Sequence, residues 1–170
     1  QFLGLTVGVI VPNLSEPENR SLWTEVEKAK RRLVYGLNCL QLLVVPKSLD
    51  VESGLAFDIK AEVGEQRVLT GHSDGLITLA LREADSAERE QTRQQLKERY
   101  RTLLGHFRHE IGHYYWARLV RDSDELAQFR SLFGDESTDY TTALKRHYAT
   151  AQQVHVDFIS AYAAAHPWED

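Results

Sequence analysis

The stretch "LLGHFRHEIGHYYW", from Leu103 to Trp116, contains the pattern HExxH, formed by His109, Glu110 and His113. It lies in a proline-free segment, residues 86–123, that is rich in helix-forming residues. Residues four positions apart project from one face of a helix, so the two imidazoles can take two corners of a zinc tetrahedron. The stretch therefore predicts a helix that carries a zinc centre.

Glu110 stands next to the first histidine of this pattern and supplies a carboxylate. Zinc lowers the pKa of a water that it binds towards ~7, and a nearby carboxylate can accept the proton as that water attacks a carbonyl carbon. The pattern HExxH is typical of metallopeptidases, in which the glutamate is the general base. We therefore predict hydrolysis of a peptide bond, with Glu110 as general base.

The predicted helix has two distinct faces. Its apolar stripe consists of Leu104, Phe107, Ile111 and Tyr115. His106 precedes His109 by three residues and is more typical of a supporting or surface histidine than of a ligand. Gly112 costs ~1 kcal/mol relative to alanine in a helix interior, so we expect another backbone segment to approach it closely. The alternative is a half-exposed helix with incidental histidines.

A catalytic zinc site needs a third protein ligand. The extended pattern HExxHxxGxxH fails, because Trp116 occupies its glycine position and Leu119 its last histidine position. The remaining downstream candidates are His147, His155, His166, Glu169, Asp170 and the acidic pair Asp135 and Glu136. Local pattern leaves the choice among them open.

The amino-terminal half predicts one amphipathic helix and several strands. The helix begins near Ser21, and its apolar face is Leu22, Val26, Ala29, Leu33 and Leu37. We predict strands at residues 40–45, 55–61, 68–70 and 76–81, with a turn in "TGHSDG" between the last two.

The carboxy-terminal half predicts only helices. A break at residues 96–100 divides a charged helix that starts at Ser86 from the helix carrying the motif. Three shorter helices follow, at residues 124–132, 140–148 and 154–164. A mixed first half and a helical second half indicate the α+β class.

Composition favours an ordinary globular chain. It has 170 residues, 42% apolar and 26% charged residues and a net charge of −5, which argues against a nucleic-acid or membrane-surface partner. A single cysteine, Cys39, excludes an internal disulfide and is expected to be buried. The apolar runs are far shorter than the ~20 residues of a spanning helix, and no signal-peptide pattern is seen, so we expect a cytoplasmic protein.

Three stretches together carry a resemblance to a known family: the opening one, "LTGHSDGLITLAL" at residues 69–81, and "SAYAAAHPWED" at residues 160–170. The chain resembles a bacterial family of zinc-binding metallopeptidases whose members carry an amino-terminal zinc ribbon, and the resemblance covers nearly its whole length. It implies that the ribbon and a helix after "HPWED" lie outside this sequence. With no methionine in the chain, we expect a trimmed catalytic core.

The carboxy-terminal stretch also resembles gluzincins related to the anthrax lethal factor peptidase. That resemblance implies that Glu169 is the third zinc ligand and that Tyr162, seven residues earlier, is a catalytic tyrosine that donates to the oxyanion. The strand at residues 75–81 resembles the sheet edge on which zincins hold an extended substrate, and an ordinary core strand is the alternative.

The expectation is thus one zincin-like α+β domain over residues 1–170, with a mixed sheet in its first half. Zn²⁺ is held by His109, His113 and Glu169, and the substrate is a peptide or protein. Two alternatives stay open: a non-catalytic zinc-binding or interaction module, and a zinc amidohydrolase acting on a non-peptide amide. Substrate specificity and oligomeric state do not follow from the pattern.

Overall fold

A computed structural model describes residues 7–64, 66–95, 101–149, 158 and 162–170. The chain forms two compact units, Gln1–Tyr114 and Tyr115–Asp170. The boundary between them falls inside one continuous helix.

The first unit is built on a mixed sheet of four strands within the described residues. The strands are β1 (Gly8–Ile10), β2 (Ala56–Lys60), β3 (Gly71–Ser73) and β4 (Leu76–Ala80). They lie in the order β1-β2-β4-β3, in which β2 is parallel to both β1 and β4, and β3 is antiparallel to β4. The predicted strands at residues 55–61 and 76–81 are confirmed.

Strand β4 lies inside the sheet, because β2 and β3 flank it on its two sides. Its pairing with β2 sets Phe57 opposite Ile77 and Ile59 opposite Leu79, and all four side chains are buried. Of the two expectations for the strand at residues 75–81, the sheet edge is therefore wrong and the core strand is confirmed. The edge beside β4 is the short strand β3.

Helix α1 (Pro17–Cys39) connects the parallel strands β1 and β2. Val26, Ala29, Leu33 and Leu37 form its buried face, as the periodicity predicts, whereas Leu22 is only half-buried. The helix packs against a 3-10 helix, Leu81–Ala84, that follows β4 directly. The buried apolar face of α1 thus covers the core next to this 3-10 helix.

The predicted strand at residues 40–45 is absent. Helix α1 continues to Cys39, and the chain then turns through Gln41, whose φ of 57° is left-handed. Leu40 and Leu43 are 71% and 67% exposed, so this apolar run does not enter the core. Cys39 is exposed rather than buried, because it follows Leu37 by two residues, about 200° around the helix from that buried position.

A tight hairpin joins β3 to β4 through Asp74 and Gly75. Both residues have positive φ, 47° and 79°, as a two-residue type I′ turn requires. The predicted strand at residues 68–70 is displaced to Gly71–Ser73, because the turn pairs Ser73 with Leu76. The side chain of Thr70 binds the end of β4 instead: its Oγ1 accepts a hydrogen bond from the backbone N–H of Ala80 at 3.1 Å.

Two helices follow the sheet, α2 (Ser86–Gln95) and α3 (Leu103–Leu119). The predicted break at residues 96–100 lies outside the described residues. Phe107 of α3 packs edge-on against Phe57 of β2, with ring centroids 5.5 Å apart. The buried apolar face of α3 is Leu103, Phe107, Ile111 and Tyr114. Phe107 and Ile111 confirm the predicted stripe, whereas Leu104 and Tyr115 are half-buried.

The second unit is helical where it is described. After the end of α3 it contains α4 (Leu126–Phe133), α5 (Tyr140–Ala149) and a 3-10 helix, Ala163–Ala165. The rings of Trp116 and Trp168 lie 5.9 Å apart, and Trp116 also packs on Phe129 at 5.5 Å. Most of the predicted helix at residues 154–164 lies outside the described residues.

The predicted α+β class with a mixed sheet is confirmed. Within the described ranges, no helix combines the length and the apolar character needed to cross a bilayer. The cytoplasmic location stays a prediction.

Candidate metal centre

Helix α3 presents His109 and His113 on one face. Their Nε2 atoms lie 3.1 Å apart, and their rings meet edge to face at 4.6 Å. Two nitrogens bound tetrahedrally to zinc at ~2.05 Å are separated by roughly 3.3 Å. The observed spacing therefore fits two neighbouring corners of a zinc tetrahedron, as the i, i+4 pattern predicts.

Glu110 lies between these histidines in sequence and is only 7% exposed, while His113 is 8% exposed. Burying a carboxylate costs free energy unless it is paired or hydrogen-bonded. A helix that merely carried incidental histidines would turn these polar residues to solvent. The burial of both side chains therefore indicates an organised polar site on this face of α3.

Gly112 does not have the role predicted for it. It is exposed, and a Cβ built there would meet no described atom within 4 Å. The expectation that another backbone segment packs against it is wrong for the described part of the chain. The low helix propensity of this glycine has no packing explanation there.

Glu169 belongs to the second unit, in the turn that follows the 3-10 helix. Its backbone N–H donates to the carbonyl of His166 at 2.9 Å, and its Oε1 accepts a hydrogen bond from the hydroxyl of Tyr140 at 2.7 Å. Tyr162 is 38% exposed, and its hydroxyl lies 3.1 Å from that of Tyr140. Glu169, Tyr162 and Tyr140 thus form one hydrogen-bonded chain.

His109 and His113 of the first unit each offer an imidazole nitrogen, and Glu169 of the second unit offers a carboxylate oxygen, as candidate metal ligands. Two imidazole nitrogens and one carboxylate oxygen are the donor types that zinc takes in hydrolytic sites. The donor set therefore fits zinc.

The other downstream candidates have different roles or positions. Both ring nitrogens of His166 are used, since Nε2 contacts the carbonyl of Thr138 at 2.9 Å and Nδ1 accepts from the backbone N–H of Trp168 at 3.0 Å.

Glu136 pairs with Arg130 at 2.6 Å. Oδ1 of Asp135 accepts hydrogen bonds from the backbone N–H and the hydroxyl of Ser137. The ring of His147 packs edge-on against that of Tyr148. Asp170 is exposed. His155 lies outside the described residues.

His106 has the supporting role that its position predicts. Its Nδ1 lies 3.2 Å from Oε2 of Glu83, and Arg101 contacts the other oxygen of that carboxylate at 3.0 Å. Burial alone would raise the pKa of Glu83, but hydrogen bonds and attraction from His106 and Arg101 outweigh it and lower the pKa to about 2. The carboxylate ties the 3-10 helix after β4 to the beginning of α3.

His72 is a further histidine near the motif, on strand β3 of the same unit. Its ring stacks against that of His113 at 6.5 Å and meets Tyr114 edge-on at 6.3 Å. The backbone N–H of Gly75 donates to its Nε2 at 3.0 Å, which orients the ring. Sequence reasoning placed His72 only in a turn, because its neighbours come from α3, about 40 residues away.

Tyr140, the first residue of α5, was also missed from the sequence. Burial raises its pKa above the ordinary value, and the hydrogen bonds to Tyr162 and Glu169 raise it further. The hydroxyl is therefore a neutral hydrogen-bond donor at any physiological pH. No spacing rule could have found it, since 29 residues separate it from Glu169.

Three curated relatives have been found, all uncharacterized proteins, one from Mycobacterium bovis and two from strains of Mycobacterium tuberculosis. Each is 48% identical to this chain over 151 residues, which are 87% of the chain and 44% of the relative. The chain thus spans less than half the length of these proteins. No solved structure matches it.

A protein family described as "putative zinc-binding metallo-peptidase" matches residues 19–170. The match includes α1 from its third residue onward, the strands β2 to β4, the HExxH helix and the turn that contains Glu169. It covers far more than half of the sequence, and the resemblance seen in the three sequence stretches is confirmed. The chain therefore belongs to this family.

Proposed function

We propose that this chain is a zincin-like zinc metallopeptidase of the gluzincin type, which hydrolyses peptide bonds in a peptide or protein substrate. His109, His113 and Glu169 are its zinc ligands, and Glu110 is its general base. One observation carries the proposal: the Nε2 atoms of His109 and His113 lie 3.1 Å apart on the HExxH helix, at the spacing of two corners of a zinc tetrahedron. Glu110, whose side chain is buried, lies between these two histidines along α3.

The ligand set leaves room for the chemistry. Three protein ligands satisfy three corners of a tetrahedron and keep the fourth position open. A zinc ion bound there supplies Lewis acidity, which acidifies a water molecule and polarises the carbonyl of the scissile bond. The rest of the reaction falls to the side chains of the protein.

Glu110 moves the proton in this mechanism. Its carboxylate accepts a proton from the attacking water and then delivers it to the leaving amine nitrogen, so one residue acts first as base and then as acid. Tyr162 carries the oxyanion role that the gluzincin resemblance implies, by donating its hydroxyl hydrogen to the oxygen that gains charge. Loss of one such donor typically costs about 10²–10³-fold in kcat.

The decisive experiment compares the chain with Glu110→Gln. We expect zinc-loaded wild-type protein to cleave members of a peptide library and Glu110→Gln to bind zinc normally but lose cleavage by at least about 10²-fold. Glu88→Gln, an exposed glutamate on α2, is the matched control and should cleave like the wild type.

Two results would overturn the proposed reaction. Zinc-loaded wild-type protein that cleaves no peptide would favour a non-catalytic zinc-binding module. Cleavage of non-peptide amides alone, shown by mass spectrometry of the products, would favour the zinc amidohydrolase.

A further inference from the structure

We propose that Tyr140 is a positioning residue of the metal centre, which holds the carboxylate of Glu169 in its ligating orientation and sets the direction of the Tyr162 hydroxyl. This inference rests on the proposed function, because it gives Glu169 and Tyr162 their roles. All of its geometry lies within the second unit.

The direction of each hydrogen bond follows from the groups involved. An ionised carboxylate only accepts, so the hydroxyl of Tyr140 donates its single hydrogen to Oε1 of Glu169 at 2.7 Å. The oxygen of Tyr140 is then an acceptor, and the hydroxyl of Tyr162, 3.1 Å away, donates to it. The chain of donors runs from Tyr162 through Tyr140 to Glu169.

Tyr140 is itself held in place on several sides. It opens α5 directly after Asp139, whose Oδ1 accepts the backbone N–H of Thr142 at 2.8 Å in the manner of a helix cap. Its ring meets the rings of His166 at 5.2 Å and Trp168 at 6.5 Å, both edge-on. The phenol therefore donates from a fixed position.

A fixed donor matters because a glutamate side chain turns freely about its last bond. A hydrogen bond to Oε1 at 2.7 Å limits that rotation and gives the second carboxylate oxygen a defined direction. Groups that orient a metal ligand in this way typically contribute 10–100-fold to metal affinity or activity. Glu169 has special need of such a group, since no helix contains it.

The same contact has a consequence for Tyr162. In the arrangement described, the hydrogen of Tyr162 points to Tyr140, so it must rotate away before it can donate to an oxyanion. Tyr140 thus provides a resting acceptor for a donor that the reaction uses later. Removing the Tyr140 hydroxyl should affect zinc binding, whereas removing the Tyr162 hydroxyl should affect cleavage alone.

The test compares Tyr140→Phe, Tyr162→Phe and Tyr148→Phe by zinc titration against a competing chelator at constant pH. We expect Tyr140→Phe to bind zinc about 10–100-fold more weakly than wild type. Tyr162→Phe should bind zinc like the wild type. Tyr148→Phe, an exposed tyrosine on the same helix, is the matched control and should also bind zinc normally.

A second measurement separates positioning from general damage to the fold. If Tyr140 acts through Glu169, then Tyr140→Phe should cause no further loss of zinc affinity in a Glu169→Gln background. Thermal unfolding of the metal-free variants should also leave Tyr140→Phe close to Tyr148→Phe. An equal loss of affinity in both backgrounds would overturn the proposal.

The outcomes also distinguish this proposal from the one on which it rests. Normal zinc affinity in both wild type and Tyr140→Phe would overturn the role of Tyr140 and leave the metallopeptidase proposal standing. A wild-type protein that binds no zinc would overturn the zinc centre itself, and the positioning role would fall with it.

Discussion

Glu83 and His106 join two elements of the first unit, with Oε2 of the glutamate 3.2 Å from Nδ1 of the histidine. Glu83 lies in the 3-10 helix after β4, and His106 lies on α3, one turn before His109. Arg101 binds the second carboxylate oxygen, so the glutamate lies between an imidazole and a guanidinium. The placement of the motif helix thus depends on a buried charge in the 3-10 helix that follows β4.

The first prediction concerns the pH dependence of stability. The pKa of Glu83 is about 2 in the folded protein against an ordinary value of 4.5, so the charged carboxylate stabilises the fold above pH 4.5. That contribution is lost as the pH falls from 4.5 towards 2. Urea unfolding of metal-free protein between pH 7 and pH 3 should show stability falling in this range, with a flatter profile for Glu83→Gln.

Glu83→Gln should also lower the free energy of unfolding at pH 7 by about 3 kcal/mol, because it leaves the guanidinium of Arg101 without its buried counter-charge. Glu90→Gln is the control: Glu90 pairs with Arg93 at the surface, where solvent screens the charges. Equal losses in the two variants would contradict the role assigned to Glu83.

The second prediction concerns the histidine ligands. Replacement of His113 by alanine removes one of two nitrogens that lie 3.1 Å apart, so zinc affinity should fall by more than about 100-fold. Elemental analysis after dialysis measures the bound zinc directly. His147→Ala, on α5, should keep the zinc of the wild type, and equal zinc in His113→Ala would refute the assignment.

The third prediction concerns the hairpin at Gly75. A Cβ added there would lie 2.0 Å from the carbonyl oxygen of Gly54, and its φ of +79° is unfavourable for other residues. Gly75→Ala should therefore lower the free energy of unfolding by at least about 1–3 kcal/mol, measured by urea denaturation. Gly36→Ala, at an open position in α1, should not destabilise the protein. A neutral Gly75→Ala would show that the turn relaxes freely.

The fourth prediction concerns Gly112, which interrupts the motif between Ile111 and His113. Because its added Cβ meets no described atom, Gly112→Ala should raise the free energy of unfolding by up to about 1 kcal/mol through helix propensity. Zinc affinity should stay unchanged. A loss of stability on thermal unfolding would instead reveal a close neighbour at this position.

Features governed by local spacing were predictable from the sequence. The buried face of α1 follows from apolar residues repeated at helical spacing, and the pair His109 and His113 faces one way because four residues make about one helical turn. The Asp74-Gly75 pair likewise favours a two-residue hairpin turn. In each case the relevant neighbours lie within a few positions along the chain.

Features that depend on partners far away in sequence were predicted poorly. The apolar run at residues 40–45 has the composition of a strand, yet α1 extends to Cys39 and the run stays outside the sheet. The residues of strand β4 were predicted correctly, but its place inside the sheet was not. That place depends on its pairing with β2 and β3, which is a property of the whole sheet. Strand propensity says little about which strands will pair.

The sequence by itself determined the α+β class, the motif helix and its two zinc-competent histidines, because helical and strand periodicities are local properties of the chain. Only the tertiary structure decided that Glu83 anchors His106 and that Tyr140 reaches Glu169 across 29 residues. The physical reason is the short range of a hydrogen bond: it requires contact within about 3 Å, and the folded path of the backbone alone brings such distant residues together.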